Sequence, residues 1–539
     1  MAILRVDNVG AAGFLPDLEY WQLEKNAWTL IQDASLSENS LRPPYLTSPR
    51  FTESPFSLDR IHNSIFIHNS AGVYWYVMCT SRRVYVSRGE AIFDITPDGL
   101  EFSGTLDDRW QATFFNGFLI LNNARNEPYY WPIETAPGEE VAKLEPLSSY
   151  PGSSPWPAGQ TCEFIVGFSN ALFAGNIRNT SNRFPYLVLF SDFAEPGTLP
   201  QAWEPRPENS AGSRDLAEGQ DEIVAGSVYK DNLIVRKRNS AVTFRYSGGQ
   251  FVYQRKVITA EVACINKHAI GNSDLFQISV SDNDIFITTG QSHQSVVKNR
   301  TKEWFFKNLN KAELSKIFVV HSSFTNEVWI CAPHGTSEFC NVALIWNYSE
   351  NTFTTRTCPN YLSGVEGYGI APDGFESWDD LTTSWEDLEF FWGLDNEEAN
   401  QRRLFFAQAL PINEDDWTRQ IRVGTKEGVA EVDEVLLERM HIPFPRGDVM
   451  DWESRKQISY IAPKCRKASR DFYIDIWLGL QEDLDSPIKW VGPKRWRMGK
   501  KGVFFDKSAR FVSIRARLPA DEEFRLTGYD VEYKLVSKR

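Results

Sequence analysis

Phe115-Asn116-Gly117-Phe118-Leu119-Ile120 and Tyr229-Lys230-Asp231-Asn232-Leu233-Ile234-Val235 are two copies of one pattern. An apolar residue is followed by a short polar turn rich in Asn or Asp, then by about three apolar residues. Four further copies occur between residues 61 and 330. They are Ile61-His62-Asn63-Ser64-Ile65-Phe66-Ile67, Phe168-Ser169-Asn170-Ala171-Leu172-Phe173, Val280-Ser281-Asp282-Asn283-Asp284-Ile285-Phe286-Ile287 and Phe324-Thr325-Asn326-Glu327-Val328-Trp329-Ile330. Asn, Asp and Gly accept the positive φ that tight hairpin turns need, and an apolar triplet suits a buried strand. The copies lie about 44 to 61 residues apart, the length of one four-stranded blade with variable loops. Near-regular spacing favours radial repetition over a sandwich. The expectation is an all-β chain built on a six-bladed β-propeller.

Composition agrees with packed β-structure. The chain has 539 residues, more than one hydrophobic core usually spans, with 36 Phe, 19 Tyr and 18 Trp against 5 Met. No apolar run reaches the length of a membrane span, and MAILRVDNVG lacks the pattern of a signal peptide, so a soluble protein made in a reducing compartment is expected. Cys79, Cys162, Cys264, Cys331, Cys340, Cys358 and Cys465 are odd in number and never spaced C-x-x-C. They read as buried thiols, with structural zinc at Cys331, Cys340 and Cys358 a distant second.

Charge divides the chain. Residues 452–539 carry 20 Lys and Arg against 12 Asp and Glu, whereas the other 451 residues carry 37 against 59. An acidic body therefore precedes a basic C-terminal module. Residues 1–56 read as an extended strap in which Phe14, Leu15, Trp21, Leu23 and Trp28 alternate with polar residues and Pro. The propeller is expected over 57–407, interrupted at 366–398 by an acidic loop with Trp378, Trp385 and Trp392 seven apart. A linker at 408–451 leads to a small antiparallel β-sandwich-like domain at 452–539. Its strands are expected at Gln457–Ile461, Phe472–Leu478, Val503–Phe505, Phe511–Arg517 and Tyr529–Leu535. The clusters Lys464-Cys465-Arg466-Lys467 and Lys494-Arg495-Trp496-Arg497 suit either a solvated face or a contact with an acidic partner.

The chemistry of an enzyme is not legible. The seven histidines form no H-x-x-H pair, and there is no G-x-S-x-G elbow, phosphate-cradling loop or dinucleotide fingerprint. Ser279-Val280-Ser281-Asp282-Asn283-Asp284 is the nearest approach to a sialidase Asp-box and lacks its Gly and Trp. Neighbouring carboxylates such as Asp379-Asp380 and Glu386-Asp387 read as solvated loop residues, since a glycosidase pair must converge in space. No catalytic, cofactor-binding or metal-binding residue is assigned, and no cofactor.

Several stretches resemble the tail nozzle proteins of short-tailed bacteriophages, also called tail tubular protein B, tail hub or packaged-DNA stabilisation proteins. The carriers are Gly13-Phe14-Leu15-Pro16-Asp17-Leu18 with Asn26-Ala27-Trp28, then Leu189-Phe190-Ser191-Asp192-Phe193-Ala194-Glu195-Pro196-Gly197 leading to Leu199-Pro200-Gln201-Ala202-Trp203. Asn209-Ser210-Ala211-Gly212, Leu233-Ile234-Val235-Arg236-Lys237 and Tyr246-Ser247-Gly248-Gly249-Gln250-Phe251 follow in order. Ala509-Arg510-Phe511-Val512-Ser513-Ile514-Arg515 and Leu526-Thr527-Gly528-Tyr529-Asp530-Val531-Glu532-Tyr533 are similar to the family's closing sandwich. Phe190 stands where the family usually has Trp.

The resemblance implies a virion structural protein and no enzyme. It implies a homo-hexameric ring below the head–tail adaptor or connector, with tail fibres or a tail needle as neighbours, assembled in the host bacterial cytoplasm. Viral double-stranded DNA would pass through the channel without tight binding, and nothing would insert in a membrane. Because clustered cations trap phosphates, the acidic body is expected to form the channel wall. The basic module would then pack on an acidic neighbour, and the 366–398 loop could gate the channel. The competing readings are a propeller glycosidase or glycan-binding protein and a WD-repeat scaffold, the latter without its Gly-His and Trp-Asp signatures.

Overall fold

The computed structural model describes residues 2–49, 60–68, 74–89, 91–133, 141–248, 252–259, 263–289, 292–368, 402–409, 418–422, 431–466 and 471–536. They form a nearly all-β, propeller-like structure. Six antiparallel four-stranded meanders follow one another along the chain. Sheet one is Asn63–His68, Tyr74–Cys79, Val84–Arg88 and Ala91–Asp94, and sheet two is Gln111–Phe115, Phe118–Asn122, Tyr129–Pro132 and Glu145–Pro146. Sheet three runs Thr161–Phe168, Ala171–Arg178, Arg183–Phe190 and Gly212–Asp215, and sheet four Ile223–Tyr229, Asn232–Lys237, Ala241–Tyr246 and Tyr253–Thr259. Sheet five is Ile270–Asn272, Gln277–Val280, Ile285–Thr288 and His293–Ser295. Sheet six is Phe318–Ser322, Glu327–Ala332, Cys340–Asn347 and the first half of Thr352–Tyr368.

The expected turns sit where their chemistry places them. Asn116 and Gly117 have φ of 49° and 88°, and Ser169 and Asn170 have 49° and 59°, the paired positive values of a two-residue hairpin. The copies at 229, 280 and 324 are also hairpins. The copy at 61 is not: Asn63 and Ser64 already belong to the strand Asn63–His68, whose partner begins at Tyr74.

A seventh four-stranded set exceeds the expected six. Strand Thr352–Tyr368 outruns sheet six, and its residues 361–368 pair with Arg402–Gln408. That strand pairs with Thr418–Arg422, which in turn pairs with Leu46–Pro49 from the N-terminal segment. Sequence reading missed this set because its strands come from distant stretches and no hairpin copy marks it. Its inner strand fills the space between sheets six and one. Gly364 lies under Val320 and Gly367 under the Phe66 ring, so closely that a Cβ at either position would clash.

Sheets one to four pack face to face through apolar clusters between successive meanders. Trp75 of sheet one meets Trp131 of sheet two edge-to-face at 5.5 Å, and Phe164 of sheet three packs with Leu233 and Val235 of sheet four. Cys331, Cys340 and Cys358 lie together in one apolar cluster with Trp329 and Phe406, so burial pushes the thiols of Cys331 and Cys340 up. No group of His, Cys, Asp and Glu suited to a metal occurs among the described residues. No helix among them is long and apolar enough to cross a membrane.

The C-terminal module has two facing sheets and draws strands from outside 452–539. One sheet is ordered Ser35–Ser37, Ser40–Arg42, Arg525–Val536, Arg455–Arg466 and Val503–Ala509, with Ala2–Asp7 also on Arg525–Val536. The other continues sheet six: Thr352–Tyr368, Leu30–Gln32, Glu434–Arg439, Phe511–Pro519, Tyr473–Gln481 and Lys489–Arg497. Two expectations therefore change. The N-terminal segment is partly strand rather than an extended strap, and residues 408–451 hold strands Thr418–Arg422 and Glu434–Arg439 rather than forming a linker. One apolar cluster joins Leu4, Ile278, Leu344, Leu437, Ile458 and Ile476, so propeller sheets five and six share a core with both module sheets.

The remaining N-terminal residues dock by specific contacts. Trp28 Nε1 donates to the Val9 carbonyl at 2.7 Å, and Phe14 meets Trp304 edge-to-face at 5.0 Å. The Asp17 carboxylate accepts from the amides of Glu303 and Trp304 at 2.7 and 2.9 Å, satisfying the start of helix Lys302–Asn308. Residues 369–398 of the acidic loop, including Trp378, Trp385 and Trp392, lie outside the described residues.

Candidate functional site: a charged cavity at one end of the propeller

The first strands of successive sheets lie side by side, and the loops entering them gather at one end of the propeller. Asp107 precedes Gln111–Phe115, Glu163 opens Thr161–Phe168, and Glu222 precedes Ile223–Tyr229. Lys267 and His268 precede Ile270–Asn272, and Lys311 to Ser315 precede Phe318–Ser322. With Arg178 and Arg183 from the hairpin of sheet three and Arg238 after Asn232–Lys237, they line a cavity of about 460 Å³.

Five of these side chains are Lys or Arg and three are Asp or Glu, in a chain of net charge −14. Arg178 Nη2 lies 3.3 Å from Glu163, and Arg183 Nη2 lies 2.6 Å from Glu222. Lys267 approaches the same Glu163 at 3.8 Å, with a side chain 3% exposed. Burial lowers the Lys267 ammonium, with Glu163 acting against it. The wall of this cavity is cationic, so the acidic surplus of the body resides elsewhere.

Arg109 adjoins the lining residues Ser315 and His268. Its guanidinium donates to the Leu362 carbonyl, to Ser315 O at 2.9 Å and to Ile317 O at 3.1 Å. It thus spans from the loop before sheet two to the starts of sheets six and seven. Neighbouring Trp110 fixes that loop through Nε1 to the Thr80 carbonyl at 2.8 Å. Burial brings Arg109 down to about 10, and burial together with Arg109 and Arg60 pushes His62 to about 4. His268 is lowered well below the usual imidazole range by burial, Arg109 and Lys267.

None of these residues stood out in the sequence. Their common property is position at one end of the sheets, in the loops entering first strands or in the turns between second and third strands, which becomes visible only once the strands are placed. A carboxyl that donates a proton needs surroundings that keep it neutral. Glu163 and Glu222 each face a guanidinium, which presents paired charges to the cavity.

One side chain of each basic cluster in the C-terminal module, Lys464 and Arg495, is paired with carboxylates. Arg495 forms a two-pronged pair with Asp475 at 2.7 and 2.8 Å and stacks 3.9 Å from the Tyr473 ring. Arg515 pairs with Glu438 at 2.6 Å over the Trp490 ring, and Lys464 reaches Asp7 and Asp530, both at 2.8 Å. Asp7 and Glu438 lie outside residues 452–539, so the compositional break overstated the module's free charge.

No family model matches the chain, and no curated protein matches it. Among solved structures, the computationally designed Ika8 protein aligns over 70% of this chain and 99% of its own, at 10% identity and a TM-score of 0.35. A chain of the Mitotic Checkpoint Complex aligns over 71% and 98%, at 12% identity and 0.38. One from the complex of BBS1N with ARL6DN aligns over 71% and 97%, at 9% identity and 0.37. Similarity at this level carries no argument about function.

Proposed function

We propose that this chain is a structural subunit of a short bacteriophage tail, a nozzle or hub protein that performs no bond-making. In this reading it forms a homo-hexameric ring below the head–tail adaptor and encloses the channel through which double-stranded DNA is retained and ejected. Tail fibres or a tail needle are its further neighbours, and its place is the virion. We read the propeller as seven-bladed, with Leu46–Pro49 closing the seventh blade, and the facing C-terminal sheets as a sandwich.

The observation that carries this reading is the joining of propeller and C-terminal module. A sheet running without interruption from Phe318–Ser322 to Lys489–Arg497, over one shared apolar cluster, makes a rigid wedge. Rigid wedges are what a closed cyclic assembly needs from its subunits. The ordered motifs from Gly13 to Tyr533 supply the identity of that assembly. With Arg109 across the propeller's end, the DNA channel in this proposal lies between subunits and not along the propeller axis.

Sedimentation of the purified chain over a range of concentrations, with and without duplex DNA, tests the proposal. A hexamer that leaves duplex DNA free at physiological salt is expected. A monomer at all concentrations, or a ring that holds DNA tightly, would contradict it. The cavity favours a second reading, a glycan-binding propeller, which measurable oligosaccharide affinity in a monomeric protein would support.

A further inference from the structure

We propose that the cavity at the end of the propeller binds a small hydroxylated anion, one carboxylate or phosphate group carried beside free hydroxyls, as in an acidic sugar or a sugar phosphate. Three features of the wall carry the inference, and none depends on the tail assignment.

The first is a surplus of donors. Arg178 and Lys267 share the single carboxylate of Glu163, and the Arg178 Nε is buried with no hydrogen-bond partner. Lys311, exposed at the rim, has no ion pair among the described residues. A buried donor without an acceptor, as at the Arg178 Nε, is costly, and an anion entering between Arg178, Lys267 and Lys311 supplies that acceptor and balances the excess positive charge.

The second feature is His268, which selects for more than charge. Its Nε2 is buried without a partner, while the Arg109 carbonyl accepts from the other side of the ring. An imidazole held neutral and donating through one nitrogen presents a lone pair at the other. The charged oxygens of an anion that bind the neighbouring cations carry no proton for that lone pair, whereas a separate hydroxyl does.

The third is the alternation of polar groups around the cavity. Glu163 and Glu222 hold acceptor oxygens beside the guanidinium groups of Arg178 and Arg183. About 460 Å³ lies within the range of small-ligand sites, and a polyol needs donors and acceptors in turn along its wall. The site binds and performs no reaction in this proposal.

Titration calorimetry on the full chain tests it with four probes: glucuronate, glucose 6-phosphate, glucose and inorganic phosphate. Glucuronate or glucose 6-phosphate is expected to bind saturably and at least about tenfold more tightly than glucose or inorganic phosphate. The tighter of the two identifies the anionic group as carboxylate or phosphate. Lys267→Met is expected to abolish binding. Because Lys267 is buried, the exposed Lys311→Gln is the control that keeps its fold, with an expected loss of about threefold or more. His268→Phe is expected to erase the preference for hydroxylated anions over inorganic phosphate. The proposal is overturned if neither hydroxylated anion binds below about 10 mM, if glucose or inorganic phosphate binds equally well, or if a correctly folded Lys311→Gln protein binds unchanged.

Discussion

The guanidinium of Arg109 holds together carbonyls that lie 206, 208 and 253 residues away along the chain. Nothing in the local sequence announces this, because the partners are backbone atoms. Arg109→Met would strand three buried acceptors, with an expected loss of about 3 kcal/mol, read as a lower urea midpoint at unchanged slope. Glu327 is a second case. Buried under Tyr45 and Trp329, whose O–H and Nε1–H donate to it at 3.2 and 3.1 Å, its carboxyl is pushed up to about 7. Folded Glu327 keeps its proton where the unfolded chain has lost it, so its contribution falls as pH rises from about 4.5 to 7 and is constant above. His62 and His334, lowered to about 4 by burial, act with the opposite slope in an overlapping window. Glu327 is therefore isolated by comparison: Glu327→Gln should gain about 3 kcal/mol over the native protein between pH 4.5 and 7.5, measured by denaturant titration at each pH.

At the level of elements, legibility followed locality. Turns such as Asn116-Gly117 and Ser169-Asn170 were readable because residue type alone permits their φ. Strand Arg402–Gln408 contains the apolar run Leu404-Phe405-Phe406, a local signal, although its pairing partners are distant. Lys489–Arg497 was missed, since Pro493 and four basic residues hide an exposed edge strand that tolerates both. Ala2–Asp7, Leu30–Gln32 and Leu46–Pro49 were missed because short strands completing other sheets need no periodicity of their own. These three segments enter three different sheet regions, so the N-terminal segment is a structural part of both modules. A chain beginning at residue 60 is expected to lose its cooperative melt and to regain it when residues 1–49 are co-expressed as a separate segment. An unaltered melting temperature of the truncated chain would refute that role.

Across the whole molecule, sheets five and six share a core, and sheet six a strand, with the two facing sheets, whereas the sequence suggested two modules joined by a linker. Composition could suggest the division, but it could not show that Glu434–Arg439 and Leu30–Gln32 bridge it. Calorimetry should accordingly give one unfolding transition for the propeller-like part and the C-terminal module together, and two separated transitions would show independent domains. The central claim, a rigid subunit shaped for a phage tail ring, is tested most directly by electron microscopy of the purified protein with class averaging. The account predicts six-fold rings with an open lumen between subunits. Isolated monomers at every concentration, or closed particles without a lumen, would contradict it.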